Sequence, residues 1–286
     1  MTRAWAVTTE DRGTSTSPGK PTGLIITADD FGLDSAVNDA VEQAYTEGVL
    51  NATSLMVSAP SAPDAIARAQ RLPKLAVGLH LVLADGKATL PASDIPALVG
   101  PDGRFGDHMA RQGARFFFLP HVRRQLAAEI RAQFEAFAAT GLKLDHVNAH
   151  KHFHMHPTIL SLILSIGAEY GLKAVRLPAE PGMQWWLAPW VSLMRSRLER
   201  AGIAHNDHIF GISDTGAMDE PALLKALNHL PPGLTEIYGH PATRRGLTPT
   251  MHDYRHTDEL SALLSPRVRD VIGELGLANG GFSALT

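Results

Sequence analysis

Five of the chain's fourteen histidines fall within eleven residues, in the run Asp145-His-Val-Asn-Ala-His-Lys-His-Phe-His-Met-His156. Neutral imidazole is the commonest side-chain metal ligand and titrates near neutral pH, so the run nominates a metal site. A strong carboxylate candidate lies far upstream at Asp29-Asp30, directly after the apolar stretch Leu24-Ile-Ile-Thr-Ala28. Two adjacent carboxylates can divide the work of a hydrolytic centre, one ligating a metal and the other taking a proton from water. The chain has no cysteine, which removes disulfides, thiolate ligands and a cysteine nucleophile. The expected cofactor is therefore one divalent ion held by nitrogen and oxygen, Zn or Mg foremost, with Co, Ni, Mn and Fe also suited to such donors.

Taken singly, each candidate has a plain structural reading. Asp29-Asp30 could be a helix cap and turn, and His80, set between leucines, a satisfied core imidazole. His240-Pro241 could simply end a strand, and Arg176 could pair with a surface acid. A loose histidine tract could scavenge metal at the surface, although such a tract has no need to sit between a strand and a helix. Asp29-Asp30-Phe31-Gly32 contains the Asp-Phe-Gly triplet of protein kinases, but the other kinase signatures are missing.

Their placement along the chain is what joins them. Short β-rich runs alternate with longer helical patterns, as in βαβ units. Strands are expected at Leu24–Ala28, Thr53–Val57, Leu75–Leu83, Leu144–Ala149, Ala174–Leu177 and Glu236–Tyr238. Helices are expected at Ser35–Glu47, Asp64–Arg71, His121–Thr140, Thr158–Tyr170 and, last in the chain, Ser265–Leu275. Asp29, Asp30, His80, His150, Arg176 and His240 then sit at or just past strand ends, where parallel α/β folds build their active sites. An α/β, TIM-barrel-like architecture, regular or irregular, would bring them together. His150 and His152 would share one side of an extended segment, with His154 and His156 in the turn that follows.

The 286 residues, 44% of them hydrophobic, suit one large domain. Residues 1–22 are rich in Thr, Ser, Gly and Pro and read as a disordered leader to a single domain over 23–286. The leader lacks the apolar core of a secretory signal, and no run of about 18 apolar residues is present, so the chain is expected to be cytoplasmic. A net charge of −3 without a basic stripe argues against nucleic acid as a partner. A homodimer stays open.

Four short motifs occur in order: Thr27-Ala-Asp-Asp-Phe-Gly32, Gly78-Leu-His80-Leu, the segment Asp145–Pro157, and Tyr238-Gly-His-Pro241. Together they resemble the YdjC-like carbohydrate deacetylases, relatives of the polysaccharide deacetylases. Asn51-Ala-Thr-Ser-Leu-Met56, Glu129–Gly141 and His146-Val-Asn-Ala-His-Lys-His152 look more like the branch associated with hopanoid biosynthesis. The resemblance implies a barrel that hydrolyses the N-acetyl group of a glucosamine unit. It implies Asp30, His80 and His150 as metal ligands, Asp29 as base, and a protonated His240 as the acid for the departing amine. Arg176 is expected to keep Asp29 ionised. Many members of the family have Asp-Ser before the third ligand, where this chain has Asn148-Ala149, which puts a supporting role for that position in question.

Three of the four tryptophans, Trp185, Trp186 and Trp190, cluster ahead of a basic stretch ending at Arg200. That pattern suits an interfacial segment or a lipid-facing lid, with Phe116–Leu119 adding to the same surface, and equally an ordinary core helix. The three tryptophans, with His152 and His154, are the expected substrate contacts, and all three tryptophans are expected to be at least partly exposed. The expected partner is an N-acetylated, lipid-linked amino sugar met at the inner face of a membrane. Rival readings are a soluble chito-oligosaccharide deacetylase and a noncatalytic sugar-lipid binder. A metal-dependent sugar isomerase would need a second acidic cluster, which the sequence does not offer.

Overall fold

The computed structural model describes residues 20–185 and 187–286; residues 1–19, most of the expected leader, and Trp186 lie outside them. In chain order the elements are β1 (Pro21–Phe31), α1 (Ser35–Thr46), β2 (Ala52–Leu55), α2 (Ala62–Arg71), β3 (Ala76–Leu81), α3 (Met109–Phe118), α4 (Pro120–Ala139) and β4 (Val147–Ala149). They continue through a 3-10 stretch (His150–Met155), α5 (Pro157–Gly167), α6 (Ala188–Arg200), β5 (His208–Phe210), α7 (Glu220–Leu227) and β6 (Gly233–Gly239). The chain then forms α8 (His256–Leu264), α9 (Pro266–Leu275), β7 (Ala278–Asn279) and α10 (Phe282–Leu285).

Six strands form one parallel sheet in the order β4-β3-β2-β1-β6-β5, curled into a half-barrel. Ala174–Leu177 spans the gap between its edges. Val147 N donates to Ala174 O (3.0 Å) and Arg176 N to Val147 O (3.1 Å) on one side, while Val175 N donates to Ala204 O (3.0 Å) on the other. The architecture is thus the TIM-barrel-like one expected, with one wall held by single bridges.

Alternation along β1 sorts its side chains into two layers. Leu24, Ile26 and Ala28 pack outward with the helices in the main core. Ile25 points inward and forms a small apolar floor with Ala52, Ala174, Leu234 and Phe282. Above Ile25 the inward positions turn polar: Thr27 meets Glu236, and Asp29 meets Arg176. The barrel is therefore sealed by apolar side chains at its amino end and chemically equipped at its carboxyl end.

The helices follow from local rules. Asp34 caps α1 by accepting from Ala36 N, and Val37, Ala40, Val41 and Ala44 present the buried stripe. Pro157 opens α5, where its missing N–H costs nothing, and the His156 ring accepts from Thr158 N. Ser265–Leu275 is not the chain's last element. β7 pairs with β1, and α10 carries Phe282 into the barrel floor, where Asp145 accepts from Phe282 N (3.0 Å) and Ser283 N (2.9 Å). The four-residue α10 is too short to show a helical period, so only the barrel's open end reveals its purpose.

Candidate metal centre and catalytic cavity

Consecutive strand residues normally face opposite sides of a sheet, yet Asp29 meets Arg176 inside the barrel and Asp30 meets His80 and His150 there. The β1–β2 register shifts between Ala28 and Phe31, and Asp30 adopts φ +65°. This irregularity turns Asp30 inward beside Asp29. A non-glycine residue in that region costs on the order of 1–3 kcal/mol, a strain characteristic of functional positions. Gly32, at φ +95°, completes the turn; a Cβ there would sit 3.1 Å from the Ala62 Cα.

Asp30, His80 and His150 come together, all buried, with one potential ligand atom each. Asp30 Oδ1 lies 3.2 Å from His80 Nε2 and 3.0 Å from His150 Nδ1, and the two nitrogens are 3.4 Å apart. Nitrogen and oxygen ligands about 2.1 Å from a tetrahedral ion are separated by roughly 3.4 Å, so the spacing fits a metal. Asp30 Oδ2 is buried without a hydrogen-bond partner, which an ion would remedy. Burial alone would raise the Asp30 pKa, but His150 and His80 outweigh it and hold the carboxyl well below the usual range.

The hydrogen-bond pattern fixes which His80 nitrogen faces that site. Ser54 Oγ donates its single proton to Asp29 Oδ1 (2.7 Å), and Asn148 Nδ2 donates to the same oxygen (3.1 Å). Ser54 Oγ and Asn148 Oδ1 are therefore left as acceptors toward His80 Nδ1, at 3.0 and 2.7 Å. The proton belongs on Nδ1, and the Nε2 lone pair is free for a metal. Asn148, doubtful from sequence, thus ties a candidate ligand to the candidate base.

Asp29 sits on a buried ion layer. Arg176, fully buried, reaches Asp29 Oδ2 (2.6 Å) and Oδ1 (2.9 Å) with one edge and Glu236 (2.7 and 2.9 Å) with the other. Thr27 Oγ1 donates to Glu236 (2.7 Å), and the guanidinium lies 4.6 Å from the Tyr238 ring centre. Burial would raise the Asp29 pKa; Arg176 and then His80 reverse this and hold the carboxyl far below the usual range. The plain reading of Arg176 as the partner of a surface acid is corrected. Glu236 and Ser54 were missed; an acid inside the apolar strand Leu234-Thr-Glu-Ile-Tyr238 was the available signal.

Asp29, His80, His150, His152, Tyr238 and His240 line one cavity of about 290 Å³, at the small end of the roughly 300–1,000 Å³ typical of ligand sites. His240 enters from the end of β6. Its Nδ1 is buried without a partner, its N–H donates to Glu259, and His256 Nδ1 donates to its carbonyl (2.6 Å). Burial lowers the His240 pKa. Burial also pushes Glu259 up, to about 7.

The histidine run is not an extended segment. Lys151 and His152 take φ +55° and +54° within a 3-10 stretch, which swings His152 into the cavity. There its Nε2 meets Tyr238 OH (2.8 Å), while Nδ1 has no partner. Burial, with His154 and Arg176 adding to it, lowers the His152 pKa well below the ordinary value. At the rim, Lys151 and Thr250 both bond Asp85 Oδ2, at 2.8 and 2.6 Å.

His154 does not line the cavity. It is fully buried, its Nε2 bonds the Arg176 carbonyl (3.1 Å), and burial lowers its pKa to about 3. Its expected substrate contact is therefore corrected to a support for the Arg176 segment. Trp185 and Trp190 are exposed, whereas the expectation for Trp186 falls outside the described residues. Trp190 donates to Met155 O (2.8 Å) and lines an open groove of about 410 Å³, which shares Lys151 and His152 with the cavity. Trp185 lines neither space.

Relatives match most of the chain. A carbohydrate deacetylase of Brevibacillus brevis is 30% identical over 268 residues, covering 92% of this chain and 99% of its own. A chitooligosaccharide deacetylase of Yersinia pestis is 29% identical over 265 residues, covering 91% and 97%. The crystal structure of an Enterococcus faecalis protein superposes with a TM-score of 0.75 at 24% identity, covering 93% of this chain and all of that one, which bears on the fold alone. The model of the family described as YdjC-like protein matches residues 23–274, and the chain belongs to that family.

Proposed function

We propose that this protein is a metal-dependent carbohydrate N-deacetylase acting on an N-acetylglucosaminyl unit attached to a hopanoid lipid. The observation that carries the chemistry is the division between two adjacent carboxylates. Asp30 faces two imidazoles with an unpartnered oxygen, while Asp29 beside it is held ionised by Arg176. A noncatalytic sugar binder has no use for a strained ligand next to a clamped carboxylate. The names of the Brevibacillus and Yersinia relatives support the same chemistry.

Asp30, His80 and His150 would hold the ion. When bound, it supplies Lewis acidity toward the acetamide carbonyl and acidifies water enough for so weak a base as Asp29. Asp29 takes the water proton at Oδ2, the oxygen that Ser54 and Asn148 leave free, since both donate to Oδ1. The water oxygen bonds to the carbonyl carbon, the C–N bond breaks, and acetate and a free amine result. His240 delivers the proton that the departing nitrogen needs. Burial lowers the His240 pKa, so instead of starting as a standing cation the ring would relay to the departing nitrogen the proton that Asp29 took from water. Tyr238 and His152 lie on the cavity wall, where they can orient the sugar.

The lipid-linked reading is supported by the groove beside the cavity. It is lined by Met109, Phe117, Phe153, Met155 and Trp190 and adjoins the cavity, with which it shares Lys151 and His152, so an apolar aglycone could lie there while the sugar reaches Asp29. A soluble chito-oligosaccharide substrate is the second reading, favoured by the Yersinia relative's name. The deciding assay measures acetate release by metal-reconstituted enzyme from N-acetylglucosaminyl-bacteriohopanetetrol and from N,N′-diacetylchitobiose, with Asp29→Asn as control. Release from the hopanoid alone is expected. Release from chitobiose alone replaces the substrate, and release from neither overturns the enzymatic reading.

A further inference from the structure

The large apolar side chains that stand exposed among the described residues are confined to two short segments: Phe117, Phe118 and Leu119 at the end of α3, and Trp185, Trp190 and Leu193 at and after the entry to α6. Phe118 is 73% exposed and Trp185 84%. Phe117 and Trp190 line the same open groove, which brings the two segments onto one face beside the catalytic mouth. A contiguous apolar patch of this kind on a folded chain marks a contact surface.

Charge identifies the partner. Residues 109–128 and 181–198 contain six arginines (Arg111, Arg115, Arg123, Arg124, Arg195 and Arg197) and no acidic residue, in a chain whose net charge is −3. Among the described residues, Arg195 alone of these pairs with a carboxylate, Asp207. Arg111, Arg115 and Phe118 follow at i, i+4 and i+7 on α3, and Trp190, Leu193 and Arg197 at i, i+3 and i+7 on α6. Each helix thus carries aromatic or aliphatic groups and guanidinium on one stripe. No helix among the described residues is long and apolar enough to cross a membrane.

We infer that this face docks on the surface of an anionic phospholipid bilayer, with the aromatic side chains at the headgroup–acyl boundary and the arginines against the phosphates. Docking there sets the groove and the cavity mouth against the lipid from which a lipid-linked substrate would enter. The inference rests on surface chemistry alone and survives a failure of the hopanoid reading.

The test is co-sedimentation of the full chain, without substrate, with phosphatidylcholine vesicles that contain or lack one-third phosphatidylglycerol, alongside its mass in solution. Phosphatidylglycerol is expected to raise binding by at least about tenfold, and higher salt to reverse the gain. Phe118→Ser/Leu193→Ser and, separately, Arg111→Glu/Arg124→Glu are each expected to weaken binding by about tenfold. Both variants are expected to keep the wild-type melting temperature, which separates lost docking from lost folding. Equal binding to both vesicles, no binding, or a dimer that dissociates in Phe118→Ser/Leu193→Ser while vesicles stay free would overturn the inference.

Discussion

Replacing Asn148 by leucine tests how the metal centre is held. The amide, fully buried, accepts from His80 Nδ1 at 2.7 Å and donates to Asp29 Oδ1 at 3.1 Å. Leucine keeps the approximate volume and removes both bonds. A neutral hydrogen bond is worth about 1 kcal/mol and one to a charged group about 1.5–3 kcal/mol. Ser54 still accepts from His80, and Ser54 and Arg176 still donate to Asp29, so the net stability loss is expected near the low end, about 2.5 kcal/mol. Loss of a partner that orients a ligating histidine typically costs 10–100-fold in metal affinity. With Ser54 in place, Asn148→Leu is expected to weaken zinc binding about tenfold, and Ser54→Ala/Asn148→Leu about a hundredfold. The assay is competition of metal-free protein against a chromophoric chelator, with urea denaturation reporting stability. Zinc affinity within twofold of wild type in the double variant would refute the assignment of the Nδ1 proton and of Nε2 as the ligand.

Four further expectations follow from the same geometry. Arg176→Met leaves Asp29 and Glu236 buried without their cation and is expected to cost about 3–5 kcal/mol in urea denaturation; a loss below 1 kcal/mol would mean that the ion layer is not structural. Asp29→Asn should lower kcat by about 10²–10⁴ while zinc affinity holds, whereas Asp30→Asn should lose both, and the reverse pattern would exchange their roles. The His80 pKa is raised above 6.5 because Asp29 and Asp30 outweigh burial, so protons compete with metal from above that value downward. Zinc affinity should fall by up to about tenfold per pH unit on the acid side, and the metal-free protein should lose the stabilisation from protonated His80 as pH rises through its folded pKa; a flat affinity profile excludes His80 as a ligand. Glu259, raised by burial to about 7, should make stability fall as pH rises from about 4.5 to 7 by roughly 3 kcal/mol, a slope that Glu259→Gln should remove if this group is its source.

By itself the sequence determined the repeating strand–helix order, because outward β1 residues and the α1 stripe Val37, Ala40, Val41 and Ala44 obey local periods of two and 3.6 residues. It also placed the polar candidates at strand ends, since a polar residue closing an apolar run is visible without a partner. Tertiary structure decided the rest, because the partners are distant in the chain. Asp29 and Arg176 are separated by 147 positions and Thr27 and Glu236 by 209, and no local pattern says that a lone arginine and a lone glutamate will neutralise each other in one barrel layer. The inward turn of Asp30 depends on a register shift against β2, and the left-handed Lys151-His152 pair overrides the extended reading of the histidine run. Helix α3 buries Phe116, expected on the surface, while it exposes Phe117 and Phe118, and α6 exposes Trp190, so hydrophobicity alone could not say which aromatics face out. The role of Asn148 emerged only when two donors to Asp29 left two acceptors facing one ring nitrogen, a constraint that exists between strands and not along them.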